Sequence, residues 1–239
     1  MADVRGAGPG GRFVLHAQRI VDVASGRTVR HELFLRMVDG SELIPAADFV
    51  PAAEEDGSIR EIDRWVVQRA VELVPSGNAL AVNLSVRSAD EGLLELIRHG
   101  LETAGADPGD LALELSEEQL VAQAGPGGRF VRGARELGCR ITLDGFIQGG
   151  RRAGLLRSLP IDFVKLGPSF VNRLAADGRR RRKTRNATNR AHDSGQRVIA
   201  QGVEDLVTLQ LLQDLGIDEA QGYALGGPEP LESTFRAPD

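Results

Sequence analysis

The sequence predicts an α/β protein whose parallel strands close into one barrel of the (β/α)8 type. Three observations predict it. Strand-like and helix-like segments alternate from end to end, which implies parallel pairing across one sheet. The chain has 239 residues, and one such barrel takes roughly 250. No Gly-x-Gly-x-x-Gly opens a helix, which argues against an open dinucleotide-binding sheet.

The elements follow in order. Residues 13–23 read as a strand, and 29–37 as a second. A long helix is predicted over 59–74, because Ile62, Trp65, Val66, Ala70, Leu73 and Val74 recur at helical spacing. Ser58 and Glu61 predict a capping box at its start. Residues 80–84 form a short strand, and 92–104 a helix ending near Gly105. A strand at 111–115 precedes a helix at 129–137 stopped by Gly138. The strand at 140–143 runs into a glycine-rich segment that ends at Gly154. Strands at 163–166 and 197–200, a helix at 206–215 with Gly216 past its end, and a last strand at 220–225 complete the series. Trp65 and Tyr223 are expected in the core.

One segment departs from the pattern. Residues 179–194 stand where the helix before the seventh strand belongs, yet they run Arg-Arg-Arg-Arg-Lys-Thr-Arg-Asn-Ala-Thr-Asn-Arg-Ala-His-Asp-Ser. Almost nothing apolar is available to pack, so a mobile, solvated basic segment is expected. A sharper reading makes it a docking patch for an acidic protein partner.

Hydrophobic residues make up 41% and aromatics only 4%, so the core must be aliphatic. The net charge of -5 disfavours nucleic acid as a partner, though a local anion site stays open. The single cysteine, Cys139, excludes an internal disulfide and fits a reducing, cytoplasmic setting. Cys139 itself reads as a small buried core residue. Residues 1–12 are rich in glycine and charge and are expected to form a flexible tail ahead of a domain at 13–239. No apolar run is long enough to span a bilayer, so no membrane association is expected.

Four strand-like runs carry a polar residue that an apolar strand does not need: Glu32, Asn83, Glu114 and Asp144. Three carboxylates and an amide are what a hard divalent cation takes as ligands. Barrel function gathers at the C-terminal ends of the strands. Grouped without a cation, these acids would repel one another.

Read in order, the motifs resemble the EAL-domain family of cyclic di-GMP phosphodiesterases over nearly the whole chain. Glu32-Leu33-Phe34-Leu35-Arg36 is similar to the family's Glu-Ala-Leu-Leu-Arg signature, and Ile44-Pro45 through Phe49, Val50 and Glu54 to the segment after it. Asn83-Leu84-Ser85, Glu114-Leu115-Ser116-Glu117, Leu143-Asp144, Phe163-Val164-Lys165-Leu166, Ala200-Gln201-Gly202-Val203-Glu204 and Gln221-Gly222-Tyr223 match in turn. The resemblance implies a modified barrel with its first strand antiparallel. It also implies hydrolysis of cyclic di-GMP to a linear dinucleotide with two Mg2+ or Mn2+ ions, which polarise the phosphoryl group and activate water. On this reading Glu32, Asn83, Glu114 and Asp144 hold the first metal. Lys165 sits beside the nucleophilic water and the phosphate, Gln221 orients the site, Glu117 tethers the loop after the fifth strand, and Arg36 contacts a ligand phosphate.

The departures from the family pattern fall on the second metal. Gly145, Gly167 and Gln201 stand where the family has carboxylates. The family's Phe-Gly-Thr-Gly loop is here Phe146-Ile147-Gln148-Gly149-Gly150, followed by Arg151-Arg152, which puts homodimerisation through that loop in question. Mg2+ sheds water reluctantly and relies on carboxylates, so one metal site is expected and the second is not. Three functions fit: an impaired domain that still binds cyclic di-GMP as a receptor, a working phosphodiesterase with an unusual site, or an interaction module that no longer binds nucleotide.

Overall fold

The computed structural model describes residues 11–145, 154 and 158–235. It opens with two long antiparallel strands, β1 (Phe13–Asp22) and β2 (Thr28–Asp39), and a short hairpin partner, β3 (Glu42–Pro45). Helices α1 (Ala46–Asp56) and α2 (Ile59–Leu73) follow, then β4 (Leu80–Leu84), α3 (Glu91–Ala104) and β5 (Leu111–Ser116). Next come α4 (Glu117–Ala122), α5 (Ala124–Glu136), β6 (Arg140–Asp144), β7 (Phe163–Leu166), α6 (Pro168–Val171) and α7 (Gly178–Asp193). The chain closes with β8 (Arg197–Gln201), α8 (Leu206–Asp214), β9 (Glu219–Gln221), β10 (Glu229–Pro230) and α9 (Leu231–Thr234).

From β2 through β4 to β9 each neighbouring pair is parallel; β1 lies between β9 and β2, antiparallel to both, and closes the ring. The result is an eight-stranded mixed barrel with its first strand reversed. Helices cover the outside, so the central strands are buried on both faces and read as continuous apolar runs. Leu111, Ala112, Leu113 and Leu115 of β5 are all buried. Polar residues inside such runs therefore point into the lumen.

The helices bind to the barrel by their apolar stripes. Ile59, Ile62, Val66, Val67, Ala70 and Val71 form the buried face of α2. Gly100 of α3 lets the two helices close: a Cβ there would stand 2.9 Å from Val71 Cγ1. Gly105, Gly138 and Gly216 all adopt positive φ at the expected helix stops. Cys139 is fully buried, as expected.

Four expectations are corrected. The Ser58–Glu61 capping box does not form: Ser58 is already helical, and its N–H donates instead to Asp56 Oδ1 at 2.8 Å, across a left-handed Gly57. The last barrel strand stops at Gln221, because the chain crosses β8's extension at Gly222, where a Cβ would lie 2.2 Å from the Val203 backbone. Tyr223, just beyond, is 77% exposed rather than part of the core. Segment 179–194 is not a loose surface stretch: 179–193 lie in α7 and Ser194 caps its C-terminal end. That helix docks through Thr184, Ala187, Thr188 and Ala191, a buried stripe of small residues at helical spacing. Trp65 is half-buried, its ring 6.4 Å from that of Phe13.

Since α7 is held by methyl-sized contacts, Ala187→Leu should overpack the interface and cost about 1–3 kcal/mol, read as a lower urea midpoint with an unchanged slope.

Candidate functional site

The site is built in the lumen at the C-terminal ends of β2, β4, β5, β6, β7 and β9. Glu32, Glu114, Lys165 and Gln221 are all buried. Lys165 Nζ donates to Glu32 Oε2 at 2.7 Å and to Glu114 Oε2. Asn83 reaches in from the rim, its Nδ2 donating to Glu32 Oε1 at 2.7 Å. The strand registers make this convergence: Asn83 lies opposite Glu114, and Ser116 opposite Asp144. A cleft of about 200 Å³ opens over these groups, and Asn83, Glu114 and Asp144 line it.

The electrostatics follow from burial. For Lys165, burial works against the ammonium, but the carboxylates of Glu114 and Glu32 outweigh it and hold the group above its ordinary range. Burial would also raise Glu32; the Lys165 charge, with hydrogen bonds from Lys165 and Asn83, reverses this and keeps it ionised. Glu114 is pushed up to about 8, by burial and then by the charge of Glu32.

Among the described residues, no three acidic, histidine or cysteine side chains stand ready as a metal cage. The donor chemistry nevertheless fits one hard cation. Glu114 Oε1 is buried with no hydrogen-bond partner. The Asn83 amide spends its NH2 on Glu32, which leaves a carbonyl oxygen, and Asp144 adds a further carboxylate at the cleft wall. Gly145, Gly167 and Gln201, where the family resemblance implies carboxylates for a second ion, carry no negative charge. Among the described residues, a Cβ at Gly145 or Gly167 would meet nothing within 4 Å. Gln201, at the end of β8, lies opposite Gln221.

Two sequence-predicted residues sit apart. Arg36 lies on the extension of β2 beyond the barrel, opposite Val14 and Pro45. Its Nη1 donates to Leu35 O at 3.0 Å, and its guanidinium lies 5.7 Å from the Phe34 ring centroid. Glu117 is fully buried at the first position of α4, directly after β5. The altered loop at 146–152 lies outside the described residues.

The cleft wall holds a network that sequence reasoning missed. Glu54 Oε1 accepts from Ser85 Oγ at 2.6 Å and from Gln119 Nε2 at 2.7 Å, while Gln119 Oε1 accepts from Val86 N. Asp63, buried on α2, accepts from Ser85 N at 3.0 Å. The signal was an aspartate on the apolar face of α2, between Ile62 and Val66.

A family model described as EAL domain matches residues 1–228. The chain belongs to the EAL-domain family. This EAL domain is 34% identical over 235 residues to the cyclic di-GMP phosphodiesterase PA2567 of Pseudomonas aeruginosa, covering 94% of the chain but 40% of that protein. It is 30% identical to the cyclic di-GMP phosphodiesterase PdeB of Shewanella oneidensis, covering 88% of the chain and 26% of that protein. Among solved structures it is similar to the PaMucR phosphodiesterase in complex with c-di-GMP (TM-score 0.85, 28% identity, 93% of this chain and 94% of that one). It is also similar to the FimX EAL domain of Xanthomonas citri in complex with c-di-GMP (TM-score 0.86, 26% identity, 93% and 90%). The reversed first strand of the EAL domain is the one found here. No helix among the described residues is long and apolar enough to cross a membrane.

Burial raises Asp63 from 3.8 to about 7. A raised folded-state value favours the neutral carboxyl. Its stabilising contribution is complete below the unfolded value of 3.8 and is lost as pH rises through about 7, at up to about 1.4 kcal/mol per pH unit. Urea midpoints measured at acidic and neutral pH should fall more steeply in the wild type than in Asp63→Asn.

Proposed function

We propose that this EAL domain is a cyclic di-GMP receptor with impaired hydrolytic activity. The observation that carries the reading is a pairing of full and empty positions. The residues of the first metal converge around Lys165, while the space for the second ion's carboxylates at Gly145 and Gly167 is open and unfilled. Glu32, Asn83, Glu114 and Asp144 would hold one Mg2+ or Mn2+, which when bound polarises a phosphoryl oxygen. The chain's own groups bind and orient. Lys165 supplies a fixed positive charge in a dry lumen, where it acts strongly on a phosphodiester. Gln221, buried in the lumen, would help orient the site, and Arg36 offers its fork to a phosphate at the rim. Glu117, at the start of α4, would tether the loop that follows β6.

A working phosphodiesterase is the second reading. It is favoured by Gln201, which brings a carbonyl oxygen to the end of β8 opposite Gln221. A basic docking surface is a further reading, favoured by α7. With its small residues turned inward, Arg179, Arg182, Lys183, Arg185 and Arg190 are left exposed to an acidic protein partner.

Calorimetric titration of cyclic di-GMP in Mg2+, with chromatography of the cell contents afterwards, separates the readings. Saturable binding with the ligand intact is expected. Linear product at ordinary enzyme rates would overturn the receptor, and no heat would leave the docking surface.

Restoring carboxylates with Gly145→Asp and Gln201→Glu should raise hydrolysis by orders of magnitude, since a metal supplies several kcal/mol of transition-state stabilisation. Gly145 has φ +71, a conformation that aspartate tolerates better than most residues. No gain would place the defect in the loop after β6.

A further inference from the structure

The barrel lumen is divided along its axis. Three strands each send two inward residues, spaced by two: Arg30 and Glu32 on β2, Phe163 and Lys165 on β7, Glu219 and Gln221 on β9. The second member of each pair belongs to the site already described. The first members close on one another toward the opposite end. Arg30 Nη2 donates to Glu219 Oε1 at 2.9 Å, and its guanidinium lies 3.8 Å from the Phe163 ring centroid. Outside this plug, at the N-terminal ends of the strands, is a cavity of about 610 Å³, three times the volume of the cleft at the other end.

Four arginines line it: Arg30, Arg135, Arg140 and Arg197. Only two carboxylates, Asp110 and Asp162, share the lining. Asp162 is already divided, with Oδ2 accepting from Ile141 N at 2.8 Å and Oδ1 placed 3.2 Å from Arg140 and 3.3 Å from Arg135. Arg197 stands 3.6 Å or more from Asp22, Asp218 and Glu219, longer than a good hydrogen bond. Arg140 is 48% exposed and Arg197 50%, and such exposed pairs contribute little to stability. Tying strand ends together would not require a hollow of this size beside two half-exposed arginines. The rest of the wall is apolar, with Val29, Leu80, Ile161 and Phe163.

An arginine fork matches the oxygens of a phosphate, and the volume falls within the usual range for small-molecule sites. We propose that this cavity binds a phosphorylated small molecule of nucleotide size, with Arg140 and Arg197 on the phosphate and the apolar body against Phe163 and Ile161. The site lies at the opposite end of the barrel from the cyclic di-GMP reading and does not rest on it.

The test is calorimetric titration of the full chain with guanosine diphosphate, pyrophosphate and guanosine. Saturable binding of the diphosphate is expected, tighter than that of pyrophosphate and absent for guanosine. Arg140→Gln and Arg197→Gln should each weaken it by about tenfold or more, with thermal melts matching the wild type. Arg36→Ala should leave it unchanged. No saturable binding of either phosphate compound would overturn the proposal. So would binding indifferent to both arginine variants, or binding lost with Arg36→Ala, which would assign the phosphate to the other rim. Pyrophosphate binding as tightly as the nucleotide would overturn the role of the apolar wall.

Discussion

The ammonium of Lys165, held between the carboxylates of Glu32 and Glu114 inside the barrel, is the contact on which the rest depends. It joins β2, β5 and β7 across the lumen, where burial makes a lone charge costly. Removing one member of a buried pair typically costs about 3–5 kcal/mol, because the partner is left uncompensated. The same contact sets the chemistry. It keeps Glu32 ionised, leaves Glu114 Oε1 without a donor, and fixes a positive charge beneath the cleft. A cation arriving at these oxygens meets a frame already assembled by a lysine.

Much of the fold was legible because burial leaves a signature. The strands at 80–84 and 163–166 match the structure at both ends, since short apolar runs between glycines admit little else. Glu32, Asn83, Glu114 and Asp144 stood out as polar residues in apolar strands, Lys165 was named by the family resemblance, and hydrogen bonds join Glu32, Asn83, Glu114 and Lys165. What was not legible depended on shape or on partners distant in sequence. Periodicity counts apolar residues, so it passed over α7, where threonine and alanine pack by being small. Asp63, Glu54 and Gln119 lie on separate helices, and only the folded chain brings them to Ser85. Tyr223 was misplaced because nothing local announces that Gly222 must pass against the Val203 backbone.

The two ends of the lumen illustrate different uses of charge. Near the C-terminal ends of the strands, acids outnumber the single lysine, an arrangement suited to metal. At the other end Arg140 and Arg197 line the cavity half-exposed, which suits an anion. Phe163, packed with Ile20 and Ile199, forms an apolar layer in the lumen between the two ends.

The reversed first strand has a mechanical consequence. In an ordinary parallel barrel the chain would begin at the face away from the chemistry. Here Phe13 pairs with Met37 at the far end of β2, and the ladder continues to Arg12, whose carbonyl accepts from Val38 N. The register then runs unbroken past Arg36 and down to Gln18 opposite Glu32. A pull or twist delivered through the residues before Phe13 therefore enters β1, which is paired along its length with the strand that holds both the rim arginine and the innermost glutamate. The matched relatives are much longer than this chain, and in a barrel of this handedness an upstream domain would have a lever on the site without touching it.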